Sequence, residues 1–130
     1  MTSPADILTQ YKTIAVVGLS PNRMRPSHGV SRYMQSQGYR IIPVNPGHAE
    51  ILGEKAYRAL EDIPEPVEIV NVFRRSEEVG PVVDSAIAIG AKVVWFQEGI
   101  RNDEAAAKAQ VAGLAVVQDR CILKEHRYLR

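Results

Sequence analysis

The chain has 130 residues, 45% hydrophobic and 24% charged, which suits one globular domain able to bury a core. Its net charge of +1 excludes a global attraction to nucleic acid or to an acidic membrane, so any anion site must be local. The single cysteine, Cys121, excludes an intrachain disulfide, no apolar run approaches the ~20 residues that span a bilayer, and no leader is visible, so the expected location is a reducing cytoplasm.

A short helix is predicted over residues 4–11. Residues 14–17 form an apolar, β-branched run that stops at Gly18. A polar turn follows, then a helix with Val30, Tyr33 and Met34 at i, i+3, i+4. A second strand covers residues 40–44. The connection 46–66 is irregular, with one short helix over 56–60, and a third strand covers 67–73. Val79, Val82, Val83, Ala86 and Ile87 make a two-turn apolar stripe, with Pro81 in its first turn and Gly90 just past its end. A fourth strand covers 92–96. Asn102, Asp103 and Glu104 then open an alanine-rich helix that stops at Gly113. The last strand is 114–117, and a terminal helix covers about 122–128.

Each strand is near-continuously apolar rather than alternating, as strands buried on both faces of a parallel sheet are. Strands alternating with helices predict an α/β fold: a doubly wound five-stranded parallel sheet in three α/β/α layers, with the Rossmann-like order 3-2-1-4-5. No linker splits the chain, so residues 1–130 are read as one domain.

In such a sheet ligands gather at the carboxyl ends of strands where the order reverses, here expected above strands 1 and 4. The turn after strand 1 leads into a helix whose first N–H groups lack internal partners and carry the positive end of its dipole. Gly18 lets a ligand approach the backbone. Ser20 and Ser27 can donate hydroxyl hydrogen bonds, and Arg23 and Arg25 can pair with phosphate oxygens. The alternative is an exposed loop whose arginines serve solubility. A nicotinamide dinucleotide site usually has three glycines here and an acid after strand 2. Gly18-Leu19-Ser20-Pro21-Asn22-Arg23 lacks the second glycine, and Pro43-Val44-Asn45-Pro46-Gly47-His48 has no carboxylate before Glu50. This argues against NAD and leaves a nucleotide with an extra phosphate, NADP or coenzyme A.

Five segments in order, "VVGLSPN", "GYRIIPVNP", "VNVFRRSEEV", "VVWFQEGI" and "DRCILKEH", resemble the small CoA-binding protein family, which is itself similar to the CoA-binding Rossmann domain of the succinyl-CoA synthetase α subunit. The resemblance runs from about Lys12 to the C-terminus. It implies that the turn of Gly18, Leu19, Ser20 and Asn22 meets the phosphate end of the coenzyme. Val44, Asn45, Pro46 and His48 would surround the adenosine, with His48 where the synthetase typically has lysine. Phe73 and Arg74 match the end of strand 3, and Phe96, Gln97 and Glu98 match the strand end beside the pantetheine arm. The synthetase's phosphorylated histidine lies in a second domain and its nucleotide-grasping domain in another subunit, and neither fits in 130 residues. The resemblance therefore implies a stand-alone module for coenzyme A or an acyl-CoA, without catalysis of its own.

Phe73 either stacks on an adenine or belongs to the core. Trp95 is expected in the core with its N–H satisfied. Gln97 and the Gly99 turn could bind the amides of a pantetheine, or form a plain βα turn. Cys121, beside Arg120 at the start of a helix, suits a mixed disulfide with the coenzyme thiol or a redox switch; the alternative is a buried structural cysteine. His126, between Glu125 and Arg127, is expected on a solvated helix face. The histidines and cysteine lack metal-ligand spacing, no Gly-x-Ser-x-Gly elbow or Walker lysine appears, and acids interleave with bases where a nucleic-acid stripe would need none. The expected partner is a small nucleotide ligand. Two rival readings stay open: an NADP-linked oxidoreductase, with Tyr33, Tyr39 or His28 as proton donor, and a ligand-free interaction module of the same fold.

Overall fold

Ser3 opens α1 (Pro4–Gln10) with a capping box: its hydroxyl accepts from the Asp6 N–H, and the Asp6 carboxylate accepts from the Ser3 N–H. The Ser3 N–H, with the Ser3 hydroxyl adding, holds the Asp6 carboxyl below its usual range. The computed structural model, which describes residues 2–129, continues with β1 (Thr13–Val17), α2 (Pro26–Ser36), β2 (Arg40–Val44) and a small hairpin of β3 (Glu50–Ile51) and β4 (Glu54–Lys55). Then come β5 (Ile69–Val72), α3 (Val79–Ala88), β6 (Val93–Phe96), α4 (Asp103–Val111), β7 (Ala115–Val117) and α5 (Ile122–Arg127).

The main sheet has five parallel strands in the order β2-β1-β5-β6-β7. Outside β2, Tyr57 makes an isolated parallel bridge to Val44: Asn45 N–H donates to the Tyr57 carbonyl at 2.9 Å and Tyr57 N–H to the Pro43 carbonyl at 3.0 Å. With that bridge in the third position, the expected order 3-2-1-4-5 holds, and β7 extends it. The occupant of the third position is corrected, however. Residues 67–73 lie beside β1, so the strand order reverses between β1 and β5 and not between β1 and the strand at 92–96. β5 is buried at every residue, which suits the sheet interior. The segment 56–60 is not helical; a 3-10 turn forms instead at Leu60–Asp62.

Side chains alternate across the sheet with period two. Ile14 and Val16 face the layer of α1, α2 and α5, together with Trp95; Ala15 and Val17 face α3 and α4, together with Phe96. All six are almost fully enclosed, which is why the strands read as unbroken apolar runs. The Trp95 indole N–H donates to the Arg120 carbonyl at 2.8 Å, as expected of a core tryptophan. Asn102 caps α4, its side chain accepting from the Ala105 N–H. At the far edge the Arg40 guanidinium grips Glu65 with two bonds, at 2.6 and 2.7 Å, and Glu54 at 3.2 Å. It thereby pins the hairpin and holds the Glu65 carboxyl below its usual range.

One expectation about a helix face is extended and one is corrected. On α2, Val30 and Tyr33 pack half-buried against the core beside Met34, and Ser27, His28 and Ser31 join them in the interior. The first turn of α2 lies against the backbone of the turn after β1, and that backbone needs polar partners. His126 is not on a solvated face. It packs edge-on to Tyr33 and Tyr39, with ring centroids 5.4 and 5.5 Å away, and its Nδ1 is 2.8 Å from the Tyr33 hydroxyl. Tyr39 in turn donates to the Leu8 carbonyl at 2.6 Å, and burial, with Tyr33 adding, pushes its hydroxyl above the usual tyrosine range. Among the described residues no helix is long and apolar enough to cross a membrane, and no group of His, Cys, Asp and Glu could hold a metal ion.

Candidate functional site

β1 ends between the exits of β2 and β5. Gly18 N–H donates to the Val44 carbonyl at 3.1 Å, and Phe73 N–H donates to the Val17 carbonyl at 2.9 Å. Gly18 has φ +90°, and a Cβ there would lie 2.3 Å from the Phe73 carbonyl oxygen. Only glycine lets the chain turn so close to β5. The turn beyond is braced from within. Ser20 N–H donates to Ser27 Oγ, and the Ser20 hydroxyl accepts from Asn22 N–H, both at 3.0 Å. The Asn22 side-chain oxygen accepts from Met24 N–H at 2.9 Å, and its carbonyl accepts from Arg25 N–H at 3.0 Å. α2 then begins at Arg25 with no side-chain cap, Pro26 in its first position and no acid in its first turn. The positive end of its dipole therefore meets no carboxylate of its own helix.

Asn45 joins this turn to the loop after β2. Its Nδ2 donates to the Leu19 carbonyl at 2.9 Å, and its Oδ1 accepts from Gly47 N–H at 2.8 Å. Asn45→Asp keeps the second bond but sets a carboxylate oxygen against the Leu19 carbonyl. We expect it to destabilise the fold by about 1–3 kcal/mol in urea denaturation.

Three adjoining hollows run along the carboxyl ends of the strands. The first, of about 360 Å³, is lined by Gly18, Ser20, Arg25, Pro26, Ser27 and Phe73. The second, of about 170 Å³, lies towards α3 and is lined by Val17, Val44, Arg58, Ala59, Leu60, Arg74, Pro81, Val82 and Ser85. The third, of about 540 Å³, is open and lined by Phe73, Arg74, Arg75, Glu78 and Ile100. Phe73 belongs to the first and third, and Arg74 to the second and third. Arg23, Arg25, Arg58, Arg74 and Arg75 are exposed, and among the described residues none of them is in an ion pair; Arg40, Arg101 and Arg120 are paired elsewhere, and Arg32 of α2 and Arg127 of α5 are exposed and likewise outside the ion pairs. Glu78 is the one carboxylate among the residues lining the hollows. Unpaired guanidinium groups concentrated at one end of the sheet make a local positive field on a nearly neutral molecule.

The expected site residues divide into three groups. Gly18, Ser20, Arg25, Ser27 and Phe73 share the first hollow, and Val44 and Arg74 share the second. Asn22 and Arg23 stand on the exposed rim of the turn. Others brace the site or lie off it. Leu19 and Phe96 have no exposed surface. Gln97 is buried, its amide donating to Asn71 Oδ1 at 2.5 Å. Asn45 is engaged as above, and Pro46 and His48 are exposed but line none of the three hollows. Glu98 is paired with Lys124 of α5 at 3.0 Å, which raises the lysine above its usual range.

Phe73 is both core and wall, packing against the α1–α2–α5 layer while bordering two hollows. Cys121 is half-buried at the start of α5, and the neighbouring Arg120 guanidinium is 3.6 Å from Glu125. Among the lining residues that sequence reasoning missed are Arg58, Leu60, Val82 and Ser85. Arg58 follows Tyr57, whose bridge to β2 has no apolar pattern to announce it.

The CoA binding domain family matches residues 12–127. The chain is 47% identical over 121 residues to the uncharacterized protein YneT of Bacillus subtilis, covering 93% of this chain and 90% of that one. A hypothetical protein from Pyrococcus horikoshii OT3 shares the fold at TM-score 0.93 and 44% identity, covering 98% of this chain and 92% of its own. The apo dinucleotide-forming acetyl-coenzyme A synthetase 1 of Ca. Korarchaeum cryptofilum matches at TM-score 0.72 and 25% identity, over 81% of this chain and 25% of the synthetase chain. With the family matched over nearly the whole length, on a Rossmann-like sheet with a braced turn at its switch point, the chain belongs to the CoA binding domain family.

Proposed function

We propose that the chain binds coenzyme A or an acyl-CoA as a stand-alone module without catalysis of its own. The diphosphate lies against the turn of Gly18, Ser20 and Ser27, with Arg23 and Arg25 beside it. The adenosine enters the hollow between Val44 and Val82, where Arg58 and Arg74 meet its ribose phosphate. The pantetheine arm runs over Phe73 towards Ile100 and Glu98. On this reading Leu19, Asn45, Phe96 and Gln97 hold the site in shape without touching the ligand, and the protein works in the cytoplasm, where the coenzyme thiol and Cys121 both stay reduced.

The observation that carries the reading is the set of unpaired arginines around adjoining hollows at an uncapped helix start. A ligand with phosphate at two separated points matches that spread better than one with a single diphosphate. Calorimetry with coenzyme A, 3′-dephospho-CoA, NADP and NAD tests it. We expect coenzyme A to bind and its 3′-dephospho form to bind about 10- to 100-fold more weakly, the worth of one set of charge-assisted bonds. Saturable NADP binding without a response to coenzyme A transfers the assignment to an oxidoreductase. No binding of any of the four leaves a ligand-free interaction module.

A further inference from the structure

His28 sits in the first turn of α2 and is 9% exposed, yet it lines none of the hollows. Its Nδ1 is 3.0 Å from the carbonyl oxygen of Ser20. A carbonyl oxygen only accepts, so Nδ1 carries the proton and donates, and in the neutral ring Nε2 is bare. That bond completes the bracing of Ser20: its N–H is held by Ser27 Oγ, its hydroxyl by Asn22 N–H and its carbonyl by His28. Two of these three partners are consecutive residues of α2, so the helix start and the turn move as one unit. Ser20 also borders the first hollow. Its carbonyl, if rotated into that hollow, would present the negative end of a peptide dipole to an incoming anion. The buried imidazole holds it towards the protein interior instead, before any ligand arrives.

We propose that His28 is a positioning residue of the anion turn, acting through the Ser20 carbonyl and touching no ligand. The proposal rests on the coenzyme reading for its natural ligand, and an inorganic probe separates the two. The amide of asparagine can reach the place of Nδ1, whereas the amide of glutamine reaches the place of Nε2. Calorimetry on the full chain with coenzyme A and with inorganic pyrophosphate therefore compares wild type, His28→Asn and His28→Gln, each checked by thermal melting. Asparagine is expected to keep both affinities within about threefold and glutamine to weaken both by about 10- to 100-fold. Glutamine binding as tightly as asparagine, or both variants weakening alike while folded, overturns the proposal. A long-range proton–nitrogen correlation spectrum of the wild type needs no variant to fold: it must show the Nδ1–H tautomer, and an Nε2–H tautomer overturns the proposal. If pyrophosphate follows the expected pattern while coenzyme A fails to bind, the positioning role stands and the coenzyme reading falls. If wild type binds neither, both fall.

Discussion

Gly18→Ala is expected to lower the melting temperature by roughly 10 °C and to remove coenzyme binding. Two costs coincide at this residue. A left-handed φ of +90° in a side-chain-bearing residue costs about 1–3 kcal/mol. The added Cβ would also stand 2.3 Å from the Phe73 carbonyl oxygen, which is backbone and cannot rotate away. Relief requires the exits of β1 and β5 to separate, against the Phe73–Val17 and Gly18–Val44 hydrogen bonds. Together these amount to about 3 kcal/mol or more, a large share of the 5–15 kcal/mol that holds a typical domain. Separation would also open the switch point, so the variant should fail to bind even where it stays folded. Gly29→Ala is the matched control. It lies in α2, no atom stands within 4 Å of its added methyl, and it should be neutral or stabilising by about 1 kcal/mol. A Gly18→Ala protein that melts within about 2 °C of wild type would mean that the close approach to β5 is not a constraint.

Removing Arg58 and Arg74 together is the second large effect. Both are exposed, unpaired among the described residues, and on the wall of the same hollow, so their loss should hardly alter folding. If they hold the ribose phosphate, the double alanine variant should bind coenzyme A about 10- to 100-fold more weakly, matching the loss expected when that phosphate is removed. The same variant should bind 3′-dephospho-CoA almost as wild type does, because the group that the arginines meet is absent. Equal losses with both ligands would assign the arginines to another part of the nucleotide. Unchanged binding of both would remove them from the site. Raised salt should weaken wild-type binding more than that of the variant, since fewer charges then meet the ligand.

Several features of the site could be read without coordinates. Gly18 ends an apolar run in front of Ser20, Arg25 and Ser27, and all four line the hollow at the β1 exit. The absence of an acid in Asn45-Pro46-Gly47-His48 after β2 is equally legible in the sequence. Asn102 before an alanine-rich run signals a cap through local hydrogen bonding alone. Arg58 had no such signal. It lies in a connection without periodicity, and Tyr57 brings it to the hollow through two backbone hydrogen bonds, which are indifferent to side-chain type. Phe96 and Gln97 looked available because they stand at the carboxyl end of a strand. Phe96 is enclosed because its side chain faces the α3–α4 layer, and Gln97 because its amide turns in to Asn71 Oδ1 of β5.

The layered parallel sheet is legible in the chain alone, because strands enclosed on both faces are apolar at nearly every position, and that pattern is local. Capped and glycine-stopped helices such as α4, and the turn that follows β1, are legible in the same way, since caps and glycines act within a few residues. Which strand neighbours which is set by packing across the whole chain, because an apolar run records how deeply it is buried and not what lies beside it. Tertiary structure likewise decided the inward turn of His28 and His126. A histidine's neighbours across a helix interface come from residues far away in the chain, and nothing adjacent to it names them.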